Sequence, residues 1–169
     1  RGLGGKAGFL YALDHGADVI LEMDADLSHD PRYIPIFIDE IRRADVILGS
    51  RLVAGGEDTD RNALRLMLTK LSVLYVRLIM GMNIKDPNSG YRCFRREALA
   101  AIAGDLESKG ADIVQEVIYK LYLKGYRIKE IPIVFKDRVQ GQTTKGVKDL
   151  FRGLYTVLQW RCRQAVGKV

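Results

Sequence analysis

Val19-Ile20-Leu21-Glu22-Met23 runs without a break into Asp24-Ala25-Asp26-Leu27-Ser28-His29-Asp30-Pro31, and this junction decides how the rest of the chain reads. Five mostly apolar residues fit a short buried strand. Asp30 before Pro31 fits a helix N-cap with proline at the first helical position, and the helix is expected to run through Ile34, Phe37, Ile38 and Ile41. Asp45 to Gly49 reads as the next strand. A strand, helix, strand order with short connections indicates a βαβ unit with a right-handed crossover, hence a parallel sheet. Ligands of such sheets bind beyond the carboxyl ends of the strands. Asp26 and Arg51 both fall at such ends and are expected to converge on one site.

Asp24 and Asp26 are two residues apart at the strand end, so their carboxylates are expected on the same side, where they can meet one cation. Magnesium suits them, because it takes oxygen ligands and is commonly held by one or two carboxylates plus the phosphates of a nucleotide. Ser28 and His29 lie close enough to add a ligand or to orient one. The alternative, that the acids merely cap the next helix, is weakened by Asp30, which already fills that position.

Gly2, Gly4 and Gly5 with Lys6 read as a loop ahead of a short helix from Lys6 to His15, closed by Gly16. Such a loop can offer backbone N–H groups to a phosphate, or be a plain turn. Val53 to Asp60 reads as a loop and Arg61 to Met80 as a long helix. On that helix Arg61, Arg65, Thr69 and Ser72 share a face that can receive a lipid phosphate or form a polar seam. Asp86-Pro87-Asn88-Ser89-Gly90 is a dense turn signal, followed by an extended Tyr91 to Phe94 and a helix from Arg96 to Ala103. Asp112 to Leu123 reads as a helix, and Ile128 to Phe135 as a strand that Pro132 places at an edge. Arg138, Gly141, Gln142, Thr143, Thr144 and Lys145 form a basic, hydroxyl-rich loop able to close over phosphates or stand in solvent. Residues 147–166 form a basic amphipathic helix.

The composition supports one globular domain over residues 1–169: 47% of residues are hydrophobic and 28% charged, enough for a core and too apolar for a disordered tail. A net charge of +6 suits a polyanionic partner. Nucleic acid is disfavoured, since neither a recognised module nor aromatics interleaved with a basic strand face is found. Cys93 and Cys162 make no disulfide framework or zinc spacing, and a reducing compartment is expected. No stretch reaches the ~18 apolar residues of a spanning helix.

Arg1-Gly2-Leu3-Gly4, Asp24-Ala25-Asp26-Leu27-Ser28-His29-Asp30-Pro31, Gly49-Ser50-Arg51, Asp86-Pro87-Asn88-Ser89-Gly90-Tyr91-Arg92 and Asp137-Arg138-x-x-Gly141 occur in an order that resembles the dolichyl-phosphate mannose synthase family. The resemblance covers nearly the whole chain. It implies an α/β, Rossmann-like glycosyltransferase A-type fold, a mostly parallel sheet flanked by helices, here lacking its amino-terminal nucleotide-binding strands. The chain is therefore expected to be the carboxy-terminal, larger part of the catalytic domain, inactive alone. The implied activity is inverting, metal-dependent transfer of a hexose, in the first instance mannose from GDP-mannose, to a polyprenyl or dolichyl phosphate, with Mg2+ or Mn2+ as cofactor.

Carried over by residue, the resemblance makes Asp24, Asp26 and Ser28 the metal site. Gly2, Gly4, Asp24, Asp26, Ser89, Gly90 and Glu116 would bind the donor, and Arg51, Arg65, Thr69, Arg138 and Lys145 the acceptor phosphate. Asp26, Arg51, Arg65 and Arg138 would be catalytic. The chain departs from the family where Gly141-Gln142-Thr143-Thr144 replaces the frequent Gly-Glu-Ser-Lys, and where Asp112, Ile113 and Val114 replace an aromatic and a glutamine. A nucleotide-sugar donor, a polyprenyl phosphate and the cytoplasmic face of a membrane are the expected partners and location. The alternatives are UDP-glucose as donor, a non-lipid acceptor, or a non-catalytic membrane-surface module.

Overall fold

The computed structural model describes residues 2–59, 63–136 and 147–165, with the side chains of 63–66, 147–153 and 164–165 outside the described set. Arg1, Arg61, Arg138, Gly141 and Lys145 lie outside the described residues, and so does the side chain of Arg65. The first helix, α1 (Gly2–Asp14), leads into β1 (Val19–Glu22), a 3-10 turn at Pro31–Tyr33, α2 (Ile34–Glu40) and β2 (Val46–Ser50). The short β3 (Glu57–Asp58) precedes the long α3 (Ala63–Met80), followed by β4 (Arg92–Arg95), α4 (Arg96–Ala103) and α5 (Ile113–Leu123). The chain continues through β5 (Ile128–Pro132) and β6 (Val134–Phe135) to α6 (Val147–Ala165).

The expected βαβ unit is present, but its strands are not neighbours. The sheet order is β1-β4-β2-β5, with β4 antiparallel to both β1 and β2, and β5 parallel to β2. Three strands therefore run one way and β4 runs back between two of them. The carboxyl ends of β1, β2 and β5 thus share one sheet edge with the amino end of β4, and four connecting segments meet there.

Period-two alternation divides the core between the two sheet faces. Val46, Leu48 and Phe94 pack with α1, α4 and α5 residues such as Phe9, Leu99, Val117 and Ile118, while Ile47, Cys93 and Tyr91 pack with Phe37 and Ile41. Both faces are covered, which is why β2 is apolar up to Ser50 and wholly buried. On the first face, α3 and α6 add Val76, Met80, Val157 and Trp160.

Two expectations about local structure need correction. Residues 2–5 are the first turns of α1, not a loop before it. A β-carbon on Gly2 would come within 2.5 Å of the Lys109 carbonyl carbon, so this helix start rests directly on the 108–110 backbone. The Lys6 ammonium donates to the carbonyls of Gly104 and Leu106, at 3.2 and 2.7 Å, just beyond the end of α4. Gly2 and Lys6 therefore serve helix packing in this structure, and Gly4 lies exposed on the same helix, where a phosphate-binding loop or a plain turn was expected. Second, the strand expected from Ile128 to Phe135 breaks after Pro132, where Ile133 N–H donates to the Ser50 carbonyl and β6 pairs with β3 instead. The closure of α1 by Gly16, at φ +77°, is as expected.

Candidate active site

Strand β1 ends at Glu22, so Asp24 and Asp26 stand in the loop that follows it, and strand pleating does not align them. Side chains of the loop hold this segment instead. The Asp24 N–H donates to His29 Nδ1 at 2.9 Å. Ser28 donates to Asp26 Oδ1 twice, from its hydroxyl at 2.5 Å and from its N–H at 3.2 Å. Asp30 caps the 3-10 turn by accepting from Arg32 N–H at 3.0 Å, with Pro31 at the first position. Between the acids and Ser28, Leu27 adopts φ +65°, a left-handed backbone costly for a branched side chain, and is 71% exposed. Both acids are half-buried, whereas Ser28 and His29 are buried. A cleft of about 210 Å³ lies against this turn, lined in part by Leu27, His29, Arg32 and Lys136.

The segment before β4 ties the sheet edge together. Asp86, fully buried, accepts from Arg51 Nε and Nη2 at 2.8 Å each, and from Arg51 N–H at 3.2 Å. The Lys85 and Asp86 N–H groups in turn donate to the Glu130 carboxylate of β5, both at 2.8 Å. Further along, Gln115 Nε2 donates to Asn88 Oδ1 at 2.5 Å, and Ser89 Oγ accepts from Tyr91 N–H at 3.2 Å. Buried Gly90 follows Ser89 in the same turn. Tyr91 donates its hydroxyl to the Asp30 carbonyl at 3.1 Å and stacks on His29. Burial, with smaller effects of Asp30 and Tyr33, pushes its pKa up to about 12, which keeps this donor protonated. Arg92, fully buried opposite Glu22, pairs with that carboxylate and donates to the Val114 carbonyl at 2.9 Å.

Arg51, expected to line the acceptor phosphate site, is engaged by protein carboxylates in this structure. Its side chain is 10% exposed, held by Asp86 with Asp58 3.8 Å away, and its guanidinium lies 5.2 Å over the Phe135 ring. Burial would lower its pKa, but the bond to Asp86 and the charges of Asp86 and Asp58 outweigh that and raise it. Arg51 therefore braces the site in this structure. Glu116, expected beside the sugar, is likewise taken up: it is 1% exposed and accepts from the N–H groups of Glu107 and Ser108 at 2.8 Å each, with Lys120 Nζ 3.1 Å away. It fixes the loop on which Gly2 rests. Thr69 is half-buried on α3.

Burial alone would raise the Glu116 pKa, yet those backbone N–H groups, the Ser108 hydroxyl and Lys120 outweigh it and hold the carboxyl below its ordinary value. The sign follows from a depressed folded value: the ionised group stabilises the fold above the ordinary carboxylate range, and that contribution is lost as pH falls through the lowered pKa. Glu116→Gln is expected to lose about 1–3 kcal/mol at pH 7. Its stability should also change less between pH 7 and pH 3 than the parent's. Urea titrations at both pH values check this, and an equally steep acid limb in the variant would refute it.

The donor set suits a divalent cation of the magnesium type: two half-buried carboxylates, with the remaining positions left to water and phosphate oxygens. Among the described residues no cluster of three or more His, Cys, Asp or Glu side chains could form an all-protein cage. Ser28 stands as a support for Asp26, its hydroxyl proton directed to that carboxylate.

Residues 3–103 match the family model described as glycosyl transferase family 2. The chain belongs to glycosyl transferase family 2. Among family members, an undecaprenyl-phosphate mannosyltransferase from Micrococcus luteus is 37% identical over 94% of this chain and 67% of its own length. A polyprenol monophosphomannose synthase from Mycolicibacterium smegmatis is 34% identical over 93% of this chain and 60% of its own. A dolichol-phosphate mannosyltransferase from Pyrococcus furiosus is 32% identical over 85% and 41%, so the chain spans roughly two fifths to two thirds of these relatives. These relatives bear out the resemblance to the dolichyl-phosphate mannose synthase family. The crystal structure of glucosyl-3-phosphoglycerate synthase from Mycobacterium tuberculosis, in complex with uridine diphosphate, superposes with a TM-score of 0.59 at 14% identity. It covers 93% of this chain and 54% of that one, and the likeness supports the A-type fold.

Proposed function

We propose that the protein carrying this chain transfers a hexose, mannose from GDP-mannose in the first instance, to the phosphate of a polyprenyl lipid with inversion. The observation that carries this reading is the braced Asp24–Asp26 turn at the sheet edge where four connecting segments meet. The names of the three relatives, all mannose-transferring or mannose-lipid enzymes, supply the acceptor class.

Asp24 and Asp26 would hold a Mg2+ or Mn2+ ion, which neutralises charge on the departing nucleoside diphosphate. Ser28 orients the Asp26 carboxylate, and the turn at Asn88, Ser89 and Gly90 bounds the sugar side of the site. A lipid phosphate oxygen attacks the anomeric carbon as the bond to the diphosphate breaks, which inverts that centre. No strong base is needed, because a phosphate monoester with a second pKa near ~6 is largely ionised at neutral pH. Arg65, Thr69, Arg138 and Lys145 are the residues proposed to hold the acceptor phosphate in line.

Met67, Leu71, Leu74 and Leu78 form an exposed stripe on α3 at helical spacing, and no helix among the described residues is long and apolar enough to cross a membrane. With the +6 charge, this stripe supports binding at an anionic membrane surface. A full-length preparation given radiolabelled GDP-mannose, polyprenyl phosphate and Mg2+ is expected to move label into the lipid phase. UDP-glucose in a parallel reaction tests the other donor. Label that stays in the aqueous phase with both donors would overturn the lipid acceptor, and undiminished transfer in EDTA would overturn the metal.

A further inference from the structure

We propose that His29 is a positioning residue for donor binding, its Nδ1 fixing the backbone at Asp24 and so the direction of the first carboxylate. This rests on the reading that Asp24 and Asp26 hold the donor diphosphate.

The argument begins with what the sheet does not do. After Glu22 no ladder hydrogen bond constrains the chain, yet the acids must be presented in one orientation if they are to share a ligand. The Asp24 N–H to His29 Nδ1 bond closes the loop between these residues, and Ser28 sets Asp26 within it. In this contact Nδ1 is the acceptor of the backbone N–H.

The ring has little freedom of its own. It is 3% exposed, stacks on Tyr91 at 4.8 Å and 25°, and meets Phe135 edge-on at 5.5 Å and 66°. Tyr91 is anchored in turn by its hydroxyl bond to the Asp30 carbonyl. A planar side chain with an acceptor at the δ position satisfies both demands: the stack fixes the plane, and the plane aims Nδ1 at the Asp24 N–H. The left-handed Leu27 lies inside the closed loop, where such a clasp can hold an unfavourable backbone in place.

The two roles of the ring can be separated by substitution. His29→Phe keeps a ring for the stack and removes the acceptor, while His29→Asn removes the ring and keeps an oxygen at the δ position. In the full-length protein, calorimetric titration with GDP in the presence of Mg2+ is expected to give about 10-fold weaker binding for His29→Phe. His29→Asn should bind close to the parent, and hydrogen exchange at the Asp24 amide should accelerate in His29→Phe alone. Thermal melts establish that each variant is folded. Parent-like binding by a folded His29→Phe, or equal losses in both variants, would overturn the proposal. Should His29→Phe not fold, 15N shifts of the parent imidazole decide: a protonated Nδ1 at neutral pH overturns it. Asp26→Asn serves as control. If it binds GDP and Mg2+ as the parent does, the donor reading itself fails and takes this inference with it; a weakened Asp26→Asn beside an unaffected His29→Phe overturns the His29 role alone.

Discussion

Replacing Asp26 with asparagine is expected to slow sugar transfer by about 10²- to 10³-fold while leaving the fold intact. Asparagine keeps the shape and one oxygen that can still accept from the Ser28 hydroxyl, so the turn should survive. The negative charge is lost, and with it half of the proposed cation site. Because that charge matters most while the diphosphate departs, the loss should appear in kcat as well as in kcat/KM. Steady-state kinetics with purified donor, lipid acceptor and saturating Mg2+ measure it, alongside a thermal melt. A rate within a few-fold of the parent, at unchanged stability, would remove Asp26 from the mechanism.

The second large effect concerns stability. Among the described residues, Asp86→Ala leaves the buried Arg51 guanidinium with Asp58 as its nearest carboxylate, at 3.8 Å, and it removes both parallel bonds of the pair. Stranding one partner of a buried ion pair costs about 3–5 kcal/mol, which for a chain of this size lowers Tm by about 6–20 °C. Removing both partners should be milder than removing Asp86 alone, since no guanidinium is left stranded, although the buried Asp58 then loses its nearby cation. Arg51→Met combined with Asp86→Ala is therefore expected to recover part of the loss. Denaturant titrations of the two single variants and the double variant test this. Strict additivity would show that the pair does not act as one brace.

Much of the local architecture was legible because its signals are local. Asp30 with Pro31 marked the turn into α2, Gly16 marked the end of α1, and the Arg96–Ala103 helix was read with its observed bounds. The A-type fold and the family were legible from the order of the motifs. What escaped was the identity of partners. Arg51 and Asp86 are 35 residues apart, and nothing in either neighbourhood says that the cation answers a carboxylate of the same chain. Glu116 was read toward the sugar, while its acceptors' partners, the Glu107 and Ser108 N–H groups, become available only once the loop before α5 has folded. One local signal does point to a partner: Glu22 is the lone charge in an otherwise apolar strand, and such a residue asks for a buried cation, which Arg92 supplies. The place of β4 between β1 and β2 had no local mark at all, since pairing order is decided by tertiary packing.

That reversed strand bears on how the molecule is made. The strands that flank β4 come much earlier in the chain, and Arg92 reaches its partner Glu22 across 70 residues. Contacts so distant in sequence are closed slowly, after most of the loop entropy has been lost. Until β4 inserts, His29 has no Tyr91 to stack on and Arg51 has no Asp86. A chain still emerging or half refolded therefore carries both aspartates but not the stack that holds His29 beneath them, and if these acids hold the donor as proposed, the onset of donor binding would report that β4 has inserted.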